Sequence, residues 1–159
     1  MSEIPGLVME TRTVDSDGTL KASYLIGRYG IVTSEIDGSH SDKIFPIEKH
    51  NRESKDIVIV SLNKKDGALN FEDVLARLAQ FGLEQPTYED ALLFGTQHDD
   101  VQMKHRIIFP HKPVLDKNGK PSVLILDTYM WRTTIGLYEL PFQVPEYFAG
   151  VRKRVLQKS

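Results

Sequence analysis

Four consecutive β-branched residues, Ile57, Val58, Ile59 and Val60, constrain this chain more than any other feature. Successive side chains of a strand point to opposite faces, so an unbroken apolar run within residues 56–62 describes a strand buried on both faces. Its neighbours also read as strands. Residues 6–14 and 19–26 are separated by Asp15-Ser16-Asp17-Gly18, where the Asp-Gly pair supplies the positive φ of a hairpin turn. Residues 29–36 give a third strand ending at Asp37-Gly38, with Gly27 and Gly30 beside it marking a bulge or a close backbone approach. Residues 37–42 are a polar loop, residues 43–48 fit an edge strand interrupted by Pro46, and residues 50–55 form a charged loop.

The hydrophobic period then changes from two to 3.6. Phe71, Val74, Leu75, Leu78 and Ala79 make one stripe of a helix capped by Asn70 at its start and Gly82 at its end, with Glu72 and Asp73 in its first turn. A second helix follows Pro86, with Thr87 as cap, Glu89 and Asp90 in its first turn, and an end near Gly95. The short connection makes the two helices neighbours. Strands return at residues 106–109, then at 113–115 and 122–127 around the turn signal Asn118-Gly119, and again within 128–140. From Pro145 the pattern admits either a helix or a last strand over residues 147–151 with a frayed basic end.

Strands, a helix pair and strands again describe an α+β fold rather than alternating βαβ units. The expected architecture is a single domain over residues 1–159: a largely antiparallel sheet with a two-helix hairpin packed on one face. Its strand-rich parts are residues 6–62 and 106–151, its helix pair residues 71–95, and its basic tail residues 152–159.

With no cysteine, the chain has no disulfide framework, thiol nucleophile or zinc ribbon, a composition that suits a reducing cytoplasm. The longest apolar runs are four residues, and residues 1–15 carry Glu3, Glu10 and Asp15 against one Arg12. Neither a membrane span nor a secretory signal is expected. The net charge of −2 hides a split: residues 1–100 hold 10 basic and 18 acidic residues, residues 101–159 hold 10 basic and 4 acidic. The latter segment also carries half of the aromatic residues, among them Trp131 and Tyr147. A region both basic and aromatic suits an anionic partner, because Lys and Arg displace counterions from phosphates and rings stack on bases. In one compact domain the same segments can instead neutralise each other.

Catalytic signatures are missing or poorly arranged. The helix pair resembles a helix-turn-helix in spacing, but Glu89 and Asp90 would open its recognition helix against phosphates. His98, His105 and His111, near Asp99 and Asp100, are the weak metal candidates; His98 and His105 lie seven positions apart, about 10 Å along a continuous helix and too far to share an ion there, although a loop would bring them together. Ser39-His40-Ser41-Asp42 holds triad residue types as sequence neighbours, which does not build triad geometry. Gly27-Arg28-Tyr29-Gly30 lacks the following helix of a phosphate cradle.

The expectation is therefore a small cytoplasmic, non-catalytic protein that acts through a protein partner or self-association and needs no cofactor. Trp131, Arg132, Tyr147, Arg152, Lys153 and Arg154 are its candidate binding residues. The alternative is binding of RNA or single-stranded DNA by the basic, aromatic C-terminal third. A third reading is a hydrolase without a motif around residues 98–111.

Overall fold

The computed structural model describes residues 6–33, 36, 40–62, 70–142 and 147–152. In chain order the first elements are β1 (Gly6–Ser16), α1 (Ala22–Ile26), β2 (Ile31–Val32), α2 (Ser41–Ile44), β3 (Glu53–Leu62), α3 (Phe71–Gln80) and α4 (Tyr88–Gln97). They are followed by α5 (Asp99–Gln102), β4 (Ile107–Ile108), β5 (Val114–Leu115), β6 (Pro121–Tyr129), β7 (Arg132–Glu139) and β8 (Tyr147–Arg152). The strands form one sheet in the order β1-β3-β8-β4-β6-β7-β2, with β5 added to β6. Most pairs are antiparallel; β4 with β8 and β2 with β7 are parallel.

The β-branched run occupies the middle of β3, and all four side chains are fully buried. Ile57 and Ile59 join a core with Ala91, Leu92 and Phe94 of α4 and Leu25 of α1. Val58 and Val60 join a second core with Val74 and Leu78 of α3 and with Phe142 and Phe148. The alternation of one strand thus assigns α3 and α4 to opposite faces of the sheet. The helix pair is not a hairpin on one face: each helix covers one side of the same doubly buried strand.

Both helices start where their caps require. The Asn70 side chain accepts from the Asp73 N–H, and Thr87 and Asp90 form a reciprocal capping box. α4 does not stop at Gly95 but runs on to Gln97. Gly95 lies inside the helix because a Cβ there would meet the Tyr29 hydroxyl oxygen at 2.0 Å. That buried hydroxyl donates to the carbonyls of Ala91 and Leu92, at 3.1 and 2.9 Å, and ties the start of the β2 segment to α4.

Several expected strands are replaced by other structure. The expected partner of the first strand, residues 19–26, contains α1 instead, and β1 pairs with β3 over ten positions with one irregularity between Val8 and Glu10. Asp17 and Gly18 do form a turn, in which Asp17 accepts from the Thr19 N–H and hydroxyl. The turn leads into α1 because the apolar β3 offers β1 a longer and better buried ladder than residues 19–26 could. Among the described residues of the third expected strand, β2 is the part that is extended, at the sheet edge. The expected edge strand at 43–48 begins as the helical turn α2 and continues without strand structure; Phe45 beside it is fully buried against Tyr88 and His111. The strand expected within 128–140 is present as β7, which follows β6 after a turn at Met130 and Trp131. Of the two readings of residues 147–151 the strand is realised, as β8 between β3 and β4.

Candidate functional site

Two places on the molecule combine exposed or convergent functional groups, and the strand register places them at opposite ends of the sheet. The first is the β6–β7 turn. Tyr129 pairs directly with Arg132, so Met130 and Trp131 alone make the loop, with φ of 50° and 67°. Two successive positive φ values define the turn type that matches the twist of a hairpin, and Asn-Gly is its preferred sequence. Here a thioether and an indole occupy those positions, and they point into solvent: Trp131 is 90% exposed, Met130 75% and Tyr129 63%. A hollow of about 300 Å³ beside them is lined by Ile31, Tyr129, Met130 and Arg132. Close by, Gly30 packs its backbone against Arg132 and Thr133. Arg28, two residues earlier, lies over the exposed ring of Tyr24 at 5.9 Å.

The remaining expected binding residues do not join this group. Tyr147 is half-buried, with its ring 4.6 Å from that of His105. Arg152 is exposed at the far end of β8, in register with Asp56. Tyr147 pairs with Ile107, which pairs with Leu126, and from that row β8 and β6 run in opposite directions. Arg152 and the Trp131 turn are therefore separated by roughly eight residue rows, on the order of 25 Å. Lys153 and Arg154 lie outside the described residues.

The three histidines proposed from their spacing are each engaged separately. His98 Nε2 lies 2.6 Å from the carbonyl of Thr13, and His105 faces Tyr147. His111 is fully buried: Nδ1 donates to the Lys112 carbonyl at 2.7 Å, and Nε2 accepts the backbone N–H of Leu124 at 2.9 Å. Both contacts are satisfied by the neutral ring, and burial lowers its pKa to about 4. It is a structural histidine that joins the 109–113 segment to β6. In the polar run at 39–42, Ser39 lies outside the described residues, Ser41 is buried, and Asp42 accepts from the N–H and hydroxyl of Ser23, at 2.8 and 2.7 Å. Glu89 and Asp90 at the start of α4 are engaged within the protein, Glu89 by His50 and Ser16 and Asp90 by Lys55.

The second place is built around Glu89. His50 Nε2 lies 2.9 Å from both carboxylate oxygens of Glu89, while Nδ1 donates to the Asn51 carbonyl at 2.7 Å. Hydrogen bonding to Glu89 first, and to Asn51 second, raises the His50 pKa. The Ser16 hydroxyl donates to Glu89 at 3.1 Å and accepts the Gly18 N–H at 3.1 Å. Gly18, with φ of 81°, also allows the 46–52 segment to come close, since a Cβ there would lie 1.8 Å from the His50 carbonyl oxygen. Beside this cluster Lys55 bridges Asp90 at 3.1 Å and Glu53 at 3.5 Å. Burial opposes the Lys55 charge, but the two carboxylates prevail and its pKa is raised. A cleft of about 350 Å³ opens alongside, walled by Pro46, Ile47, Pro86 and Tyr88, with His50, Glu89 and Lys112 at its polar side. The Tyr88 hydroxyl donates to the Pro46 carbonyl and closes one wall.

Sequence reasoning missed this group because His50 and Glu89 are 39 positions apart and belong to no spacing motif. The available signal was the lone His50 at the edge of a charged loop, opposite a helix start with two carboxylates.

The architecture is thus a mixed α and β protein with a mostly antiparallel open sheet covered by helices on both faces. No protein-family model, curated protein or solved structure matches the chain. Among the described residues, no helix is long and apolar enough to cross a membrane.

Proposed function

We propose that this protein is a non-catalytic binding protein whose contact surface is the β6–β7 turn, and that its partner is another protein. One observation carries the reading: Met130 and Trp131 hold the two left-handed positions of a tight turn while exposed to water. Each non-glycine residue in that conformation costs on the order of 1 kcal/mol, and an exposed indole and thioether recover nothing from the isolated fold. Such a turn is explained when its side chains are buried by something else. Trp, Tyr and Arg are the residues that dominate binding energy at protein interfaces. The matching partner presents an apolar pocket for Trp131, with acidic groups facing Arg132 and Arg28.

A single-stranded nucleic acid would also use rings and arginines, but it needs a continuous basic track. The separation of Arg152 from Trp131 breaks the continuity of such a track between the turn and the end of β8, which favours a protein partner.

Trp131 is the single tryptophan, so its fluorescence reports on the proposed contact directly. The free protein should emit as a solvated indole. A partner isolated with the wild-type chain should form a stoichiometric complex by size exclusion, shift that emission to the blue, and fail to bind the double variant Met130→Asn, Trp131→Gly. An oligonucleotide that quenches the emission with a steep salt dependence would replace this reading with the nucleic-acid one. A partner that binds wild type and variant equally would refute the assigned surface.

A further inference from the structure

We propose that His50, Glu53 and Glu89 form a binding site for a divalent transition-metal ion of the zinc class, at the mouth of the cleft beside Tyr88. One ligand atom from each residue lies within 4.8 Å of the others, the one such three-residue group of histidine and carboxylates among the described residues. Two features beyond proximity point to a metal. The first is the orientation of His50. Its Nδ1 is held by the Asn51 carbonyl, so Nε2, which gives its proton to Glu89, is the nitrogen that a metal ion would take in place of that proton. A carbonyl that fixes the distal nitrogen is the usual support of a metal-bound histidine. The second is the surrounding space. The cleft of about 350 Å³ adjoins His50 and Glu89, which leaves room for the coordination positions that three protein ligands leave open.

The distances need little adjustment. Around a tetrahedral ion with bonds of about 2.1 Å, neighbouring ligand atoms lie roughly 3.4 Å apart. His50 and Glu89 would have to separate by a few tenths of an ångström from 2.9 Å, and Glu53 would have to draw in. The Glu53 side chain is 45% exposed, which gives it room to do so. A positive charge next to the site is Lys55, which touches Glu53 at 3.5 Å but holds Asp90 more closely at 3.1 Å; Lys112 lies across the cleft. A cation on Glu53 would leave Lys55 with Asp90. Glu89 is already supported from behind by the Ser16 hydroxyl, as a ligating carboxylate should be. One imidazole and two carboxylates, without sulfur, suit Zn²⁺, Co²⁺ or Mn²⁺ and disfavour Cu⁺.

The site lies at the opposite end of the sheet from Trp131, so it stands or falls independently of the interaction surface. The test uses the untagged full chain, stripped with chelator and titrated with Co²⁺ at pH 7.5. One equivalent should bind with visible absorption and be displaced by one equivalent of Zn²⁺. Glu53→Gln should lower Co²⁺ affinity at least tenfold, and His50→Ala should abolish the absorption. Thermal unfolding in chelator verifies that Glu53→Gln, a change at a half-exposed strand end, keeps the wild-type midpoint. Absence of Co²⁺ and Zn²⁺ binding up to millimolar concentration would overturn the proposal, as would binding that survives either substitution undiminished.

Discussion

His111 shows how much a single buried residue can govern. Its ring is neutral because charging it would strand an imidazolium in the core, between a carbonyl and an N–H that already use both nitrogens. The folded pKa of about 4 lies below the ordinary 6.5, so between these values the unfolded chain binds the proton that the folded one refuses. Stability is therefore complete above pH 6.5 and falls as the pH drops toward 4, by about 3 kcal/mol if this residue acts alone. Urea denaturation at a series of pH values should show this slope. In His111→Ala the slope should flatten, with a loss of about 2–3 kcal/mol at pH 7 because the Leu124 N–H loses its acceptor inside the core. An unchanged slope in the variant would assign the acid sensitivity to other groups.

At the scale of elements, the caps and turns were largely legible in the residues. Asn70 and Thr87 start helices where the local pattern requires, because a cap and the N–H it satisfies are three residues apart. The Asn118-Gly119 turn between β5 and β6 is equally local. The β6–β7 turn was not legible, since Met130-Trp131 carries no turn signal and sits among strand formers. Its conformation is imposed by the pairing of the flanking strands, from Ser122 with Glu139 to Tyr129 with Arg132. This contrast makes a prediction. Replacing Met130-Trp131 by Asn-Gly should raise the thermal midpoint, for a gain of about 1–2 kcal/mol, because the new pair adopts positive φ without strain. If the midpoint falls instead, Met130 or Trp131 supports the fold, and the argument that they serve a partner loses its basis.

At the scale of the whole molecule, the last described segment is the least dispensable. Residues 147–152 precede a basic end and could be taken for a frayed terminus, yet β8 lies between β3 and β4 and joins two parts of the sheet. Phe148, Ala149 and Val151 are buried in the two cores. Deletion of residues 147–159 should abolish cooperative unfolding, whereas deletion of 153–159 should retain it; circular dichroism melts of both would decide, and a cooperative melt of the shorter chain would contradict the central position of β8. The charge split is also resolved at this scale, in part. Late basic residues do meet early acidic ones, as Lys104 reaches Glu10 at 3.7 Å and Arg152 lies in register with Asp56, but Arg106 and Lys120 turn to Asp127 and Glu139 of their own half.

The residues by themselves determined where α3 and α4 begin, that the middle of β3 is extended, and that residues 57–60 need cover on both faces. Those properties arise from interactions within a few positions, where caps, turn geometry and side-chain period act. Only the tertiary structure decided that α3 and α4 divide the two faces, that β1 chooses β3 over its neighbour, that Trp131 ends in solvent, and that His50 meets Glu89. Each of these depends on segments far apart in the chain competing for the same buried surface, and no local pattern records which of them prevails.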